Sequence, residues 1–150
     1  MSESMNEPSS QQLAVADGAT VADRLAIRER IEAYSDAVFR QDGDAWIANW
    51  CDDAEWDLPE LDIKVEGKAQ IRAAWEQAKP AYRLTAFYAF PGPIEIRGDQ
   101  AAVRVHTHEI LVDQAGAVRQ IVGAYDDALE KRAGRWLFRR RRYRMLHGKA

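Results

Sequence analysis

The first part of the chain carries apolar residues at helical spacing. Four of them are separated by four, three and four positions, which puts them on one helical face: Ile27, Ile31, Tyr34 and Val38. This spacing predicts a long helix over residues 21–41, with Thr20 as its N-cap and Asp23 completing a capping box. Gly43 suits the turn that ends it.

Two shorter helices and one strand are predicted next. Asp44 is expected to cap a short helix over residues 45–50. Residues 54–58 alternate between polar and apolar side chains, which favours a strand that ends before Pro59. A third helix is predicted over residues 68–79, where Pro80 ends it.

From Tyr82 onward the apolar spacing changes to two, which is typical of strands. Five extended segments are predicted, over residues 82–90, 94–96, 101–112, 118–129 and 136–145. Three helices followed by a meander of long strands indicate an α+β fold. Because long strands coil strongly, we expect a curved, mixed but mainly antiparallel sheet wrapped as a cone-shaped barrel around the long N-terminal helix. Such a sheet encloses one deep, mostly apolar pocket.

Length and composition fit one domain. The chain has 150 residues, and we expect residues 1–18, which are polar and aperiodic, to form a flexible tail before a domain over residues 19–150. Cys51 is the single cysteine, so no disulfide forms within the chain and a reducing cytoplasm is expected. No apolar run reaches the ~20 residues that span a bilayer, so no membrane partner is expected.

A run of arginines near the end of the chain raises the question of nucleic-acid binding. Residues 139–144 hold five arginines around Tyr143, yet they fall in a predicted strand, whose side chains alternate between two faces. The pleat therefore divides the positive charge, and acidic residues elsewhere can pair with it. We expect no nucleic-acid partner.

Several short motifs, taken in order, resemble those of one family. They lie at residues 34–46, 50–56, 65–71, 96–101 and 123–141, and include the G-K-x-x-I beginning at Gly67 and the I-x-G-D-x-A beginning at Ile96. Together they resemble the SnoaL-like family of the nuclear-transport-factor-2-like superfamily over about residues 21–145. The resemblance implies a cone fold. It does not choose among the dehydratases, dehydrochlorinases, isomerases, epoxide hydrolases, cyclases and non-catalytic domains of that superfamily.

The catalytic groups of the dehydratase-like members are only partly matched. Those members use an Asp near the end of the first helix and a His on the strand after the third helix. The resemblance places these positions on Phe39 and about Tyr88, neither of which can act as that base. Their late-strand Arg is matched by Arg141.

The isomerase-like members suggest a different set. Tyr34 matches their helix-one Tyr, and Asp127 (or Asp126) approximates their second hydrogen-bond donor. Their base position falls on Leu58. Asp57 precedes it, and would replace that base only if a bulge turned it inward.

The alternation of side chains predicts the pocket wall. If Trp56 and Leu58 face inward, the resemblance turns these residues inward too: Val103, Val105, Thr107, Glu109, Tyr125, Asp127, Leu129, Arg141 and Tyr143. We expect a substrate-binding set of Phe39, Trp56, Leu58, Tyr88, Val105, Glu109, Tyr125, Arg141 and Tyr143. Asp127 and Arg141 would be either a structural pair across neighbouring strands or part of the chemistry.

Two histidines form an H-x-H sequence. The same alternation turns His106 and His108 away from the pocket, toward the surface or a subunit interface. A slip of one residue would instead make His108 the best general base. A third metal ligand is not evident in the sequence, so we expect no metal site.

The hypothesis from sequence is a pocket for a small hydrophobic or cyclic molecule. Chemistry there would be cofactor-free proton transfer, a dehydration or isomerisation, with Tyr34 as donor and an acidic group or His108 as the base. The acidic candidates are Glu109 and Asp127. The alternative is a non-catalytic ligand-binding or assembly domain of the same fold. The outer face of the sheet is expected to be covered by self-association as a homodimer or higher oligomer.

Overall fold

The computed structural model describes residues 20–148, and the predicted flexible tail lies outside them. Three helices run over α1 Val21–Arg40, α2 Gly43–Ile47 and α3 Lys68–Ala78 within this range. The strands are β1 Trp50–Leu58, β2 Ile63–Glu66, β3 Tyr82–Arg97, β4 Gln100–Asp113, β5 Val118–Arg132 and β6 Arg135–His147. Single 3₁₀ turns, Pro59–Leu61 and Lys79–Ala81, precede β2 and β3.

The strands form one six-stranded sheet in the order β2-β1-β6-β5-β4-β3. The β1–β6 pair is parallel and the other neighbouring pairs are antiparallel. The sheet does not close, since β2 and β3 are its edges, and α1 packs against β3 and β6. This confirms the predicted α+β cone with a mixed, mainly antiparallel sheet. None of the helices within residues 20–148 is long and apolar enough to cross a membrane.

Helix α1 begins and packs as its sequence predicts. The Thr20 side chain accepts from the Asp23 backbone N–H at 3.0 Å, and the Asp23 carboxylate accepts from the Thr20 backbone N–H at 3.4 Å. The helix ends at Gln41, whose φ of 50° is left-handed. Its buried face consists of Ile27, Ile31, Tyr34, Ala37 and Val38.

Arg30 fastens this helix to the sheet. Its Nε donates to the Trp136 carbonyl at 2.7 Å and its Nη1 to the Asn49 Oδ1 at 2.8 Å. Asn49 is buried, and its own amide donates to the carbonyls of Ala45 and Trp46. Because each of these buried polar groups has a partner, the contact fixes α1 without an unmet hydrogen bond.

Three local predictions differ from the structure. Asp42, rather than Asp44, caps α2 by accepting from the Ala45 N–H at 3.0 Å, so the helix begins and ends earlier. The two predicted segments after Tyr82 are one strand with an irregularity between Pro91 and Ile94, which an edge strand tolerates. Strand β2 was not predicted, since its four residues carry little pattern.

Tryptophans fill the space between the helices and the concave face of the sheet. The Trp46 ring stacks on Trp75 at 4.6 Å between centroids with an interplanar angle of 12°. It also meets the rings of Tyr34, Trp50 and Trp56 at 5.7, 5.6 and 5.4 Å. These stacked, tilted and edge contacts join α1, α2, α3 and β1 into one core.

We expect Gly123→Ala to destabilise the protein by about 1–3 kcal/mol, because a Cβ here would overlap the end of the Tyr143 side chain. Urea unfolding measures the change. A second substitution, Tyr143→Leu, should recover most of the loss in the Gly123→Ala background. Full stability of the single variant would show that Tyr143 does not pack on this glycine.

Candidate functional site

One cavity of about 420 Å³ lies between α1, α3 and the concave face of the sheet. Its volume falls in the range of small-molecule sites. Its wall is mainly apolar and includes seven aromatic side chains: Tyr34, Trp56, Trp75, Tyr82, Phe87, Tyr125 and Tyr143. Such a wall suits an apolar molecule with a ring.

Four ionisable side chains other than tyrosine line this cavity, and two already have partners. The Lys79 ammonium lies 2.9 Å from a Glu76 oxygen and 3.3 Å from the Gln41 carbonyl. Glu60 accepts from the Met145 backbone N–H at 2.8 Å. The other two, Glu109 and Arg119, make no ion pair with any residue of the described range. They are the charged groups left for a ligand.

Glu109 stands out as the acid–base group of this cavity. It lies on β4 opposite Phe87 of β3 and Ile121 of β5, and its carboxyl has no hydrogen-bond partner within residues 20–148. Burial raises its pKa to about 7, although Arg119 and Arg141 oppose the rise. A carboxyl with this pKa is partly ionised near neutral pH, so it can take or give a proton.

Asp127 and Arg141 form an ion pair beneath the cavity. Arg141 Nε lies 2.8 Å from Asp127 Oδ1 and Nη2 lies 2.9 Å from Oδ2, and both side chains are 0% exposed. Burial raises the pKa of Asp127, and Arg141 opposes that rise. The two residues face the concave side as predicted but do not line the cavity, which favours the structural interpretation.

Aromatic rings enclose the guanidinium of this pair. The Arg141 Cζ atom lies 3.9 Å from the ring centroid of Tyr125, 4.3 Å from Phe138 and 4.4 Å from Tyr34. Stacking of this kind stabilises a desolvated cation. It also holds two cavity tyrosines in place.

The tyrosine hydroxyls differ in what they contact. Trp56 Nε1 donates to the Tyr125 hydroxyl at 3.1 Å. Tyr143 has no hydrogen-bond partner for its hydroxyl within residues 20–148, and burial raises its pKa to about 12. Burial also raises the pKa of Tyr34, against the effect of Arg141. All three therefore stay protonated at neutral pH and can donate to a ligand.

Phe39 and Tyr88 lie outside the cavity, so their predicted place in its wall is wrong. They are 37% and 45% exposed and meet each other edge to face at 5.3 Å between centroids. Phe87, one residue earlier on β3, faces the cavity and packs on Tyr34 at 5.6 Å. Because the strand period is two, the shift by one residue reverses the face. Val105 is also absent from the wall, since it is fully buried in the core.

The histidines face away from the cavity, as the pleat predicts. His106 is exposed, and a ring nitrogen of His108 lies 2.9 Å from Gln120 Oε1. His108 pairs with Val122 in an unshifted register, so the slip that would make it a base in this cavity does not occur. Within the described residues the cavity wall contains neither histidine nor aspartate.

The isomerase-like base is missing as well. Leu58 lines the cavity, whereas Asp57 turns outward and lies 3.6 Å from Arg142 Nε. Asp126 is exposed beside Arg104. The arginine run is divided as expected, with Arg141 buried on the inner face and its neighbour Arg142 exposed on the outer face.

Sequence reasoning missed Arg119. It shares the parity of Tyr125 on β5, so the same alternation turns it inward, but it lies at the beginning of the strand and outside the matched motifs. Trp75 and Lys79 were missed as wall residues for another reason. They come from α3 and the turn after it, and helical periodicity does not show which sheet position they cover.

This combination of an open cone and an aromatic cavity defines the class of protein. The model of the SnoaL-like domain matches residues 19–142, and the chain belongs to that family. A comparison with curated proteins found no match.

Solved structures share the fold at low sequence identity. One is provisionally described as an aromatic ring hydroxylase from Novosphingobium aromaticivorans, with a TM-score of 0.80, 25% identity, and coverage of 87% of this chain and 96% of that one. A second, provisionally described as a scytalone dehydratase from the same species, has a TM-score of 0.81, 20% identity and 90% coverage of both chains. The third is a hexachlorocyclohexane dehydrochlorinase, LinA-type3, from Novosphingobium barchaimii, with a TM-score of 0.78, 20% identity, and coverage of 90% and 92%.

We expect Asp127→Asn to lower the free energy of unfolding by about 3–5 kcal/mol, because it leaves the Arg141 charge buried without its partner. Asp126→Asn is the matched control. It removes an exposed contact to Arg104 and should cost less than about 1 kcal/mol. Urea unfolding at neutral pH compares the two. Equal losses would show that the buried pair does not stabilise the fold.

Proposed function

We propose that the protein binds a small, mainly apolar, cyclic molecule in this cavity and that Glu109 is the base that moves a proton on it. One observation carries the proposal. The Glu109 carboxyl lies in an aromatic cavity without a partner among the described residues, and its pKa is about 7. A carboxyl left unpaired in an apolar place costs stability, which a functional role offsets.

The chemistry that fits is cofactor-free proton abstraction beside a carbonyl group. The Glu109 carboxylate takes the proton, and the electron pair of the broken C–H bond moves toward the carbonyl oxygen. A tyrosine hydroxyl, from Tyr34 or Tyr143, donates a hydrogen bond to that oxygen. Return of the proton to another carbon gives an isomer. Departure of a leaving group from the neighbouring carbon gives an elimination product.

The structural relatives support the elimination branch in part. Two of them are described as a dehydratase and a dehydrochlorinase, and both names denote eliminations. In this proposal Glu109 would supply the proton abstraction that begins such an elimination.

A non-catalytic binding domain is the second candidate. The described part of the cavity wall lacks the His and Asp that the dehydratase-like resemblance requires, and Phe87 occupies a cavity-facing position on β3. An aromatic cavity without an active base would bind a ligand and leave it unchanged.

We expect the wild-type protein to accelerate the exchange of the acidic C–H protons of 2-tetralone with D₂O, measured by proton NMR. The rate should rise with pH through about 7, because Glu109 acts only as the carboxylate. Glu109→Gln should lower the protein-dependent rate by about 100-fold or more. Glu95→Gln, an exposed change on β3, is the matched control and should leave the rate unchanged.

Two results would contradict the catalytic proposal. One is an exchange rate equal to that in buffer while 2-tetralone shows line broadening from binding, which is the behaviour of the non-catalytic candidate. The other is full activity of Glu109→Gln, which would show that a different residue is the base.

Self-association stays a prediction. The outer face of β3 exposes Leu84, Tyr88 and Phe90, and β5, two strands away in the sheet, exposes Val122. Apolar side chains grouped on one sheet face support a covered surface.

A further inference from the structure

Arg119 is a cation in the cavity wall without a carboxylate partner among the described residues. Its Nη2 donates to the Tyr82 hydroxyl at 2.6 Å, and its guanidinium lies 5.9 Å from the Tyr82 ring centroid. Within residues 20–148 its Nε and Nη1 groups donate no hydrogen bond. Of the five N–H donors of this guanidinium, the four that do not reach Tyr82 make no hydrogen bond with a described residue and can serve a ligand.

Arg119 of β5 and Glu109 of β4 occupy diagonal positions on the concave face of the sheet. Glu109 pairs with Ile121 across β4 and β5, and Leu111 pairs with Arg119, so the two charged residues are diagonal neighbours. Diagonal side chains of this length can reach each other, yet these two form no ion pair. The guanidinium is instead hydrogen-bonded to the Tyr82 hydroxyl.

We propose that the molecule bound in the cavity is a cyclic acid, whose carboxylate is held by Arg119 while its apolar ring lies against the aromatic wall near Glu109. This inference rests on the proposed function, since it names the class of ligand for the same cavity. Tyr82 uses only one of the two Nη2 hydrogens, so the other lies parallel to an N–H of Nε or of Nη1. That edge of the guanidinium matches the two oxygens of a carboxylate.

The other charges of the wall favour a singly charged group. Lys79 is already neutralised by Glu76, so Arg119 is the one cation of the described wall left to bind an anion. Glu60 adds a negative charge to the same wall. A carboxylate fits this balance better than a doubly charged phosphate does.

Binding of an acid would also affect Glu109. Arg119 is the largest influence that lowers the pKa of Glu109 against burial. An anion on Arg119 offsets that influence, so the Glu109 carboxylate becomes a stronger base when the ligand is bound. Arg119 would then bind the carboxylate of the ligand, and Glu109 would take its proton.

Matched acid–amide pairs test the inference, because an amide keeps the shape of the acid and loses its charge. The probes are benzoate and benzamide, cyclohexanecarboxylate and its amide, and 2-naphthoate and 2-naphthamide. Calorimetry at about pH 6 keeps the acids ionised and most of Glu109 protonated. We expect at least one acid to bind the wild-type protein about 10–100-fold tighter than its amide.

The variants assign that preference to one residue. Arg119→Gln should reduce it to about one, since the charge is lost while a hydrogen-bonding group remains. Arg104→Gln is the matched control, since Arg104 is exposed and lies outside this cavity, and it should keep the preference. Circular dichroism checks that both variants fold.

The outcomes separate this inference from the proposed function. Equal binding of acid and amide by the wild-type protein overturns the cyclic-acid inference and leaves cavity binding intact. A preference that survives in Arg119→Gln also overturns it. Absence of binding for all three pairs contradicts both, because a cavity of this size and lining would then not take cyclic molecules.

Discussion

The buried pair of Asp127 and Arg141 is the interaction on which the cavity depends. It joins β5 to β6 at the base of the cavity, and its guanidinium stacks on Tyr125, Phe138 and Tyr34, so one cation holds two strands and the long helix together. Removing either partner of such a pair leaves a buried charge uncompensated. Arg141 uses Nε and Nη2 in the pair, whereas its Nη1 is buried without a hydrogen-bond partner in the described range. The pair therefore fixes the floor of the cavity, and the proposed proton transfer does not involve it.

Because Asp127 and Arg141 lie below the cavity, few charged side chains line its wall. Within the described range, Glu60 accepts a backbone N–H and Lys79 is paired with Glu76, whereas Glu109 has no partner and Arg119 has no ionic one. Glu109 and Arg119 are diagonal neighbours on β4 and β5. Burial disfavours the charge on Glu109, whereas the nearby guanidinium favours it. These two opposing effects leave the pKa of Glu109 near neutrality. That pKa therefore depends on the whole wall and not on one contact.

Much of the predicted cavity wall rests on the alternation of side chains along the strands, and the positions that it placed wrongly have physical reasons. It correctly turned Trp56, Leu58 and Glu109 inward, because the strand period is fixed. Parity gives the face of a residue but not its depth, so it could not show that Asp127 and Arg141 lie below the cavity. The fold followed from helix spacing and strand length. The sequence included Glu109 among the candidate groups but could not choose it over Asp127, because burial and ion pairing of each carboxyl arise only after the sheet coils.

The central claim is that Glu109 is a carboxyl with a pKa near neutrality, and its titration by carbon-13 NMR tests this most directly. The Glu109 resonance is assigned by its loss in Glu109→Gln. The account predicts a midpoint of about 7, raised from the ordinary value of 4.5 because the charged form is buried in an aromatic cavity. A midpoint at the ordinary value would contradict it, since Glu109 would then be a solvated side chain like any other.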